Sequence, residues 1–328
     1  MRTAVMLAYA CLGTMAGAAA PDAAAMLAEY YAAMTPPTRL DVRSGGGWLW
    51  RRDEIRKRLL ECVALSPLPE RVPLDVRASA PIDHPWCTIR RVYYQLWPGV
   101  YSNGLLFMPK EMPLKPAPAV LCPHGHWQNG NAYPLVQTRL LVTAKKGYVV
   151  FSPAQHHYED LALGISHQTL HIWNNMRALD YLESLPEVDK EKIACAGFSG
   201  GGMQTQMLTA LDRRVRCAVI GGYTCQSRRI MFPKGSHCAC NHFPNYLRFT
   251  DHPEISAFGL PTPILYLTMK DWTAHFLEDD FPAIAKLYEA NGAAGRVECF
   301  HEQTEHIYDR NKRERTYQWL DRWLLGAS

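Results

Sequence analysis

An α/β domain, with a mostly parallel central sheet flanked by helices, is the fold that this sequence of 328 residues predicts. Two observations carry it. Short apolar runs (AVLCP, GYVVFSPA, KIACAGFS, CAVIGG, PILYLTM) read as central strands, and helical stretches stand between them at 134–146, 164–184, 201–211 and 280–290. Strand alternating with helix at this spacing implies parallel strands joined by right-handed crossovers, with helices on both faces. The composition, 48% hydrophobic and 20% charged, is that of a globular chain and excludes a disordered or coiled-coil one. Lys and Arg number 35 against 31 Asp and Glu, a small scattered excess unlike the basic stripe of a nucleic-acid binder.

The chain opens on Arg2 and the apolar TAVMLAYACLGTMAG, which reads as a secretory signal over 1–22. Cleavage falls between 20 and 25: a cut after Ala20 would set Pro21 beside it, and a later one after Ala25 avoids that. Export to the periplasm or medium is the expectation, with a cytoplasmic location if the segment is an ordinary helix. No later run reaches eighteen apolar residues, so no integral membrane segment is expected in the mature chain. Residues 23–34 and 50–64 read as helices, the second with Ile55, Leu59, Leu60 and Val63 on one face. They belong to an N-terminal helical extension, 23–80, packed on a main domain at 81–328. TIRRVYYQL and VYSNGLLFMP form a strand pair before AVLCP; VECFH and a helix at 311–325 close the chain. Cys122, Cys195, Cys217 and Cys299 lie in strands as small buried apolar groups, while Cys62, Cys225, Cys238 and Cys240 are the disulfide candidates of an exported protein.

The most informative stretch is IACAGFSGGG, residues 193–202. A short strand runs through G-x-S-G-G straight into a helix, the context in which a serine is held on a sharp turn with its hydroxyl exposed. Ser199 is the expected nucleophile, and the helix N-terminus behind it supplies backbone N–H groups. A serine hydroxyl needs a base to take its proton, and that imidazole needs an acid to fix its tautomer. Asp271, at the end of ILYLTMKD, is the expected acid; Asp279 and Asp280 look like charges at the start of the next helix. His306, in the loop after VECFH, is the expected base; His301 is the alternative base, or else a structural histidine. Charge on the former carbonyl oxygen requires two donors. Gly200 N–H is one, and the loop after AVLCP offers His126 N–H, with Trp127 next to it. His124 buttresses that loop or lines the pocket.

These residues and their order resemble the α/β-hydrolase superfamily, in particular its acetyl-xylan-esterase and dienelactone-hydrolase-like branch. The resemblance runs over 49–325, through PHGHWQNG, RALDYLESLPEVDKEKIACAGFSGGGMQT, CNHFPNYLRFTDHPEI and EHIYDRNKRERTYQWLDRWL. It implies an α/β-hydrolase fold with Ser199, Asp271 and His306 as its triad and an oxyanion loop at His124 to Trp127. It also implies hydrolysis of carboxylic esters, often acetyl groups on plant polysaccharides. Trp127 departs from the glycine-richer loop of relatives and bears on the acyl side, on a sugar, or only on local packing.

An insertion at 223–258 is placed to cover the catalytic end and set specificity. Gln155, His156 and Trp272 are pocket candidates. The run HCACNH offers thiolates and imidazoles, but C-x-C is tighter than zinc-site spacing, and no metal or cofactor is expected. The expected function is a serine ester hydrolase that deacetylates carbohydrate esters through an acyl-enzyme, its partner being a small-molecule or polysaccharide ester. A serine peptidase of the same fold and a non-catalytic binding domain are the alternatives. Oligomeric state, acyl group and alcohol are not legible in the sequence.

Overall fold

The computed structural model describes residues 22–34, 40, 45–155, 165–231, 238–241 and 243–327. The signal call at 1–22 therefore lies outside the described residues except for Asp22. Helices α1 (Ala23–Met34) and α2 (Gly45–Cys62) come first, then two short strands, β1 (Arg77–Ala78) and β2 (Ile82–Asp83). The strand pair β3 (Cys87–Trp97) and β4 (Val100–Pro109) leads to β5 (Ala117–Leu121), α3 (Pro134–Lys145), β6 (Val149–Pro153) and α4 (His167–Ser184). Then come β7 (Val188–Phe198), α5 (Gly200–Leu211), β8 (Cys217–Gly221), β9 (Ile264–Met269), α6 (Phe281–Ala290), β10 (Val297–Glu302) and α7 (Arg310–Leu320).

The strands form one sheet in the order β1-β3-β4-β6-β5-β7-β8-β9-β10, with β2 added on β3. The β1, β2, β3 and β4 pairings are antiparallel and every pairing from β6 to β10 is parallel. In the parallel half, successive side chains go to opposite sides, which is the two-residue period of a strand. Ile193 and Cys195, Ala218 and Ile220, and Ile264 and Tyr266 join one buried cluster. Their neighbours Ala194 and Ala196, Cys217 and Val219, and Leu265 and Leu267 join the other. Both faces are covered, so these strands have no polar face to alternate.

Chain direction through the sheet positions the site. From β5 the chain goes to β6 on one side, and then to β7 on the other. The crevice beyond the carboxyl ends of β5 and β7 is thus a topological switch point, the place where open α/β sheets bind ligands. The loops leaving both strands are those that the sequence marks for chemistry.

Local signals set the helix starts. Ser166 caps α4 by accepting from Thr169 N, and Thr169 returns the contact in a capping box. Asp309 caps α7 by accepting from Lys312 N, and Pro134 opens α3 at its first position. The α2 helix starts at Gly45, five residues before the expected point, and buries Ile55 and Leu59 in the core, with Val63 buried just beyond its end. Arg51 reaches Glu254 Oε1 at 2.5 Å and Arg56 Nη2 donates to Phe258 O at 2.8 Å, which docks α2 on the end of the 223–258 segment. The last helix is shorter than expected: α7 ends at Leu320 and continues as a π turn over Asp321–Leu325. Cys62 and Cys225 carry no disulfide.

Candidate active site

Strand β7 delivers the chain to Ser199 at φ 60° and ψ −124°, and α5 begins at the next residue. A side-chain-bearing residue at positive φ costs on the order of 1–3 kcal/mol and persists only where its surroundings over-determine it. Here they do. Ser199 N donates to Gly221 O at 2.9 Å on β8, and Met203 N donates to Ser199 O at 3.0 Å in the first helical turn. Two glycines make the turn sterically feasible: a Cβ at Gly197 would stand 2.1 Å from Gly201 O, and one at Gly201 2.3 Å from Pro123 O. The G-x-S-G-G pattern is thus a packing requirement, with strand, elbow and the β5 loop in backbone contact.

Asp271 and His306 meet at the ends of β9 and β10. The paired parallel register, Ile264 with Val297 through Met269 with Glu302, brings the two following loops together. His306 Nδ1 is 2.6 Å from Asp271 Oδ2, and Asp271 Oδ1 accepts from Thr273 N at 2.7 Å and Thr273 Oγ1 at 2.6 Å. Both carboxylate oxygens are therefore engaged, and the acid side chain is only 5% exposed. With its Nδ1 donating to a carboxylate, the imidazole has Nε2 left as the basic nitrogen. Nε2 is buried and makes no hydrogen bond among the described residues. The ring lies between Phe198, 4.7 Å away, and Trp272, 4.4 Å away, and its Cε1 is 3.0 Å from where a Cβ on Gly222 would stand. It thus covers the residue before Ser199. Trp272 is fixed in turn by donating Nε1 to Gly222 O at 3.1 Å.

The loop after β5 packs onto the elbow. A Cβ on Gly125 would be 3.1 Å from Ser199 Cβ and 3.4 Å from Gly200 N, so this loop backbone sits beside Ser199. Trp127 N already donates to Gly125 O at 3.0 Å, which withdraws the Trp127 amide and leaves His126 N as the loop's donor candidate beside Gly200 N. The Trp127 ring stacks on Tyr133 at 4.8 Å and 7°, which commits one of its faces to packing. His124 is buried, with Nδ1 2.8 Å from Gly125 O and its ring against Gly130; it braces the loop.

Of the other predicted residues, Gln155 is beside the elbow, its Nε2 3.0 Å from a Cβ position on Gly200. His156 lies outside the described residues. His301 is on β10, 2.9 Å from both Thr268 Oγ1 and Gln303 Nε2, and serves the sheet. Asp279 pairs with Arg229. Asp280 stands, as expected, at the start of the next helix, and it is also buried: it accepts from Gln226 Nε2 at 2.9 Å, and burial pushes its pKa up to about 6. Sequence reasoning missed Thr273 and Lys312. Thr273, two residues after the acid, had a readable signal in its spacing. Lys312 Nζ donates to Glu302 Oε2, Thr304 Oγ1 and Asp309 Oδ2 at 2.8, 2.6 and 2.7 Å, pinning both ends of the His306 loop. The His126 side chain faces the 223–258 segment, where Cys238 Sγ and Cys240 Sγ lie 3.2 and 3.4 Å from Nε2.

Comparison with known proteins agrees with this architecture. Human acyl-coenzyme A thioesterase 1 is 30% identical over 142 residues, 41% of this chain and 32% of that protein, so the match spans about a third of the relative's length. Among solved structures, methylesterase BT1017 superposes with a TM-score of 0.71 at 22% identity, covering 91% of this chain and 67% of that one. A glucuronoyl esterase from Solibacter usitatus gives 0.65 at 16%, covering 88% and 99%. An acetyl xylan esterase from Paenibacillus sp. R4 gives 0.58 at 17%, covering 90% and 99%. At these identities the solved structures speak to the fold alone. The family model described as the Abhydrolase family matches residues 143–324, more than half of the sequence and the part that carries the elbow and the Asp271–His306 pair, and the chain belongs to that family, the α/β-hydrolases.

Proposed function

We propose that this protein is a serine carboxylic-ester hydrolase that works through an acyl-enzyme. The observation that carries the reading is the pairing of a strained Ser199 elbow with an Asp271–His306 hydrogen bond of 2.6 Å, which leaves Nε2 as the base. In the first half-reaction Ser199 Oγ forms a bond to the ester carbonyl carbon while its proton passes to His306 Nε2. The resulting oxyanion accepts from Gly200 N–H and His126 N–H; the C–O bond to the alcohol then breaks, and His306 returns the proton to the leaving oxygen. Water repeats the sequence on the acyl-enzyme, releasing the acid and restoring Ser199. Asp271 holds the tautomer and balances the imidazolium, and Thr273 holds Asp271.

As substrate we propose acetylated carbohydrate. The carbohydrate-esterase names of the structural neighbours and the resemblance of the motifs support that class. We also propose export, on the apolar segment after Arg2; N-terminal sequencing of the native protein should find roughly 20 to 25 residues removed, and a mature terminus at Met1 or Arg2 would end the export reading.

A serine-directed phosphonate followed by intact-mass measurement tests the nucleophile. Wild type should gain one adduct and folded Ser199→Ala none; equal adducts on both would move the nucleophile elsewhere. A panel of acetylated xylo-oligosaccharide, methyl-esterified uronate, acyl-coenzyme A and a peptide tests the class. Fastest turnover of the acetylated sugar is expected. Peptide cleavage alone would favour a peptidase, and no turnover of any member would favour a binding domain.

A further inference from the structure

We propose that His126, Cys238 and Cys240 form a zinc site that ties the 223–258 segment to the loop beside Ser199. The proposal does not rest on the ester-hydrolase reading. It starts from three soft or borderline donors converging from two distant parts of the chain. His126 Nε2 is 3.2 Å from Cys238 Sγ and 3.4 Å from Cys240 Sγ, and the three atoms all lie within 4.8 Å of one another.

Hydrogen bonding alone accounts poorly for that geometry. An imidazole nitrogen offers one lone pair or one N–H, so a single Nε2 can serve both sulfurs only through one shared, three-centre contact that is weaker at each. A cation at the centre removes the difficulty, because each of the three atoms then gives a lone pair to the same ion. The spacing fits zinc in particular. With Zn–S near about 2.3 Å and Zn–N near about 2.0–2.1 Å, a tetrahedral angle sets sulfur and nitrogen about 3.5 Å apart. The observed 3.2 and 3.4 Å are close to that value. Two thiolates and an imidazole also select zinc over magnesium or calcium, which take oxygen donors.

The surrounding structure holds the donors ready. Cys238 and Cys240 lie on one tight turn: Asn241 N donates to Cys238 O at 3.0 Å, and Asn241 Nδ2 donates to the same oxygen at 3.2 Å. Gln168 of α4 donates Nε2 to Cys240 O and fixes the turn against the core. On the other side, His126 Cε1 and Nδ1 stand 3.0 and 3.1 Å from a Cβ position on Gly200, so the ring is lodged against the start of α5. The C-x-C spacing, too tight for a self-contained zinc motif, is adequate once the third donor comes from a loop 112 residues earlier. A bound ion would therefore fix the position of His126, whose backbone N–H is the donor that the ester-hydrolase reading gives to this loop. It would do so without touching the reaction itself.

The test uses the full chain, purified without chelator. Metal analysis should find about one zinc per chain, and a Cys238→Ser/Cys240→Ser double variant with unchanged circular dichroism should bind zinc at least ~100-fold more weakly in competition with a chromophoric chelator, exceeding the loss typical of an outer-shell change. In case that variant does not fold, cobalt(II) added to the chelator-stripped wild type should produce a thiolate-to-cobalt charge-transfer band and tetrahedral d–d bands. Absence of both bands would overturn the proposal. So would zinc affinity equal in wild type and folded variant, or peptide mapping that finds Cys238 and Cys240 joined in a disulfide in the native protein.

Discussion

Replacing Asp271 by Asn changes one atom and asks the most of the proposed mechanism. In the wild type, Oδ1 accepts from Thr273 N and Thr273 Oγ1, at 2.7 and 2.6 Å, and Oδ2 faces His306 Nδ1 at 2.6 Å. Hydrogen bonds to a charged group are worth about 1.5–3 kcal/mol each, and a neutral carbonyl keeps a good part of that. The asparagine should therefore keep its oxygen on Thr273 and present its NH₂ to His306. A donor facing Nδ1 turns that nitrogen into an acceptor, which moves the imidazole proton to Nε2 and removes the base from Ser199. The wrong tautomer in a triad of this kind costs about 10⁴ in kcat, or roughly 5.4 kcal/mol at about 1.36 kcal/mol per tenfold. The assay is kcat for a short acetyl ester, with circular dichroism to confirm the fold and Asp279→Asn as control. Asp279 makes a partly exposed ion pair with Arg229, so its loss should cost less than about 1 kcal/mol and leave turnover nearly intact. Full turnover by folded Asp271→Asn, with severe loss in Asp279→Asn, would refute the assignment of the acid.

Asp280→Asn should stabilise the protein at pH 7, by at most about 3 kcal/mol, and the gain should vanish near pH 4. The folded pKa of Asp280 is raised by burial from 3.8 to about 6, so the native state holds the extra proton and loses stability as pH rises through that window. His252 works in the opposite sense: burial pushes it down to about 4, and its neutral ring meets Tyr223 OH at 3.1 Å, so the fold loses stability as pH falls from 6.5 toward 4; urea midpoints of both proteins across pH 4 to 7 separate the two effects. Gly201→Ala should destabilise by about 3 kcal/mol or more, since its Cβ would meet the backbone of Pro123 at 2.3 Å and neither strand nor loop can yield cheaply; an unchanged urea midpoint would show that the β5 loop is softer than it looks. Lys312→Met should cost about 3–5 kcal/mol, because Glu302 and Asp309 lose a fully buried partner; a thermal midpoint within a degree or two of wild type would refute the pin.

What could be read from the sequence followed what is local. Strand β7, Ser199 and α5 are contiguous, so one run of ten residues contained the strand, the turn glycines and the helix start. The approach of Asp271 to His306 follows from the parallel order of the sheet, since Asp271 comes just after β9 and His306 lies in the loop after β10. The helix bounds slipped where poor helix formers open the helix, as at Gly45, Gly46 and Gly47, and at the far end of the chain, where a π turn follows Leu320. The burial of Asp280 was hidden for a different reason: its place before a helix is legible, but not that Gln226, from another loop, lies over it. The same limit hid the approach of His126 to Cys238, since no periodicity links a β5 loop with a turn 112 residues later.

The two halves of the proposed triad ride on parts of the sheet that differ in depth. Ser199 leaves β7, with strands on either side and a helix packed at its back, whereas His306 follows β10, the last strand, of which every residue is only half-buried. Elements with fewer buried contacts open first, below the free energy of global unfolding. The base would then be released while the elbow, the glycine contacts and the oxyanion loop are still intact. On warming, catalysis would fade over a range in which the core is unchanged, and would return on cooling. In hydrogen-exchange terms, the amides of 297–306 would lose protection ahead of those of 193–203, a spatial order of failure written into which strand carries which group.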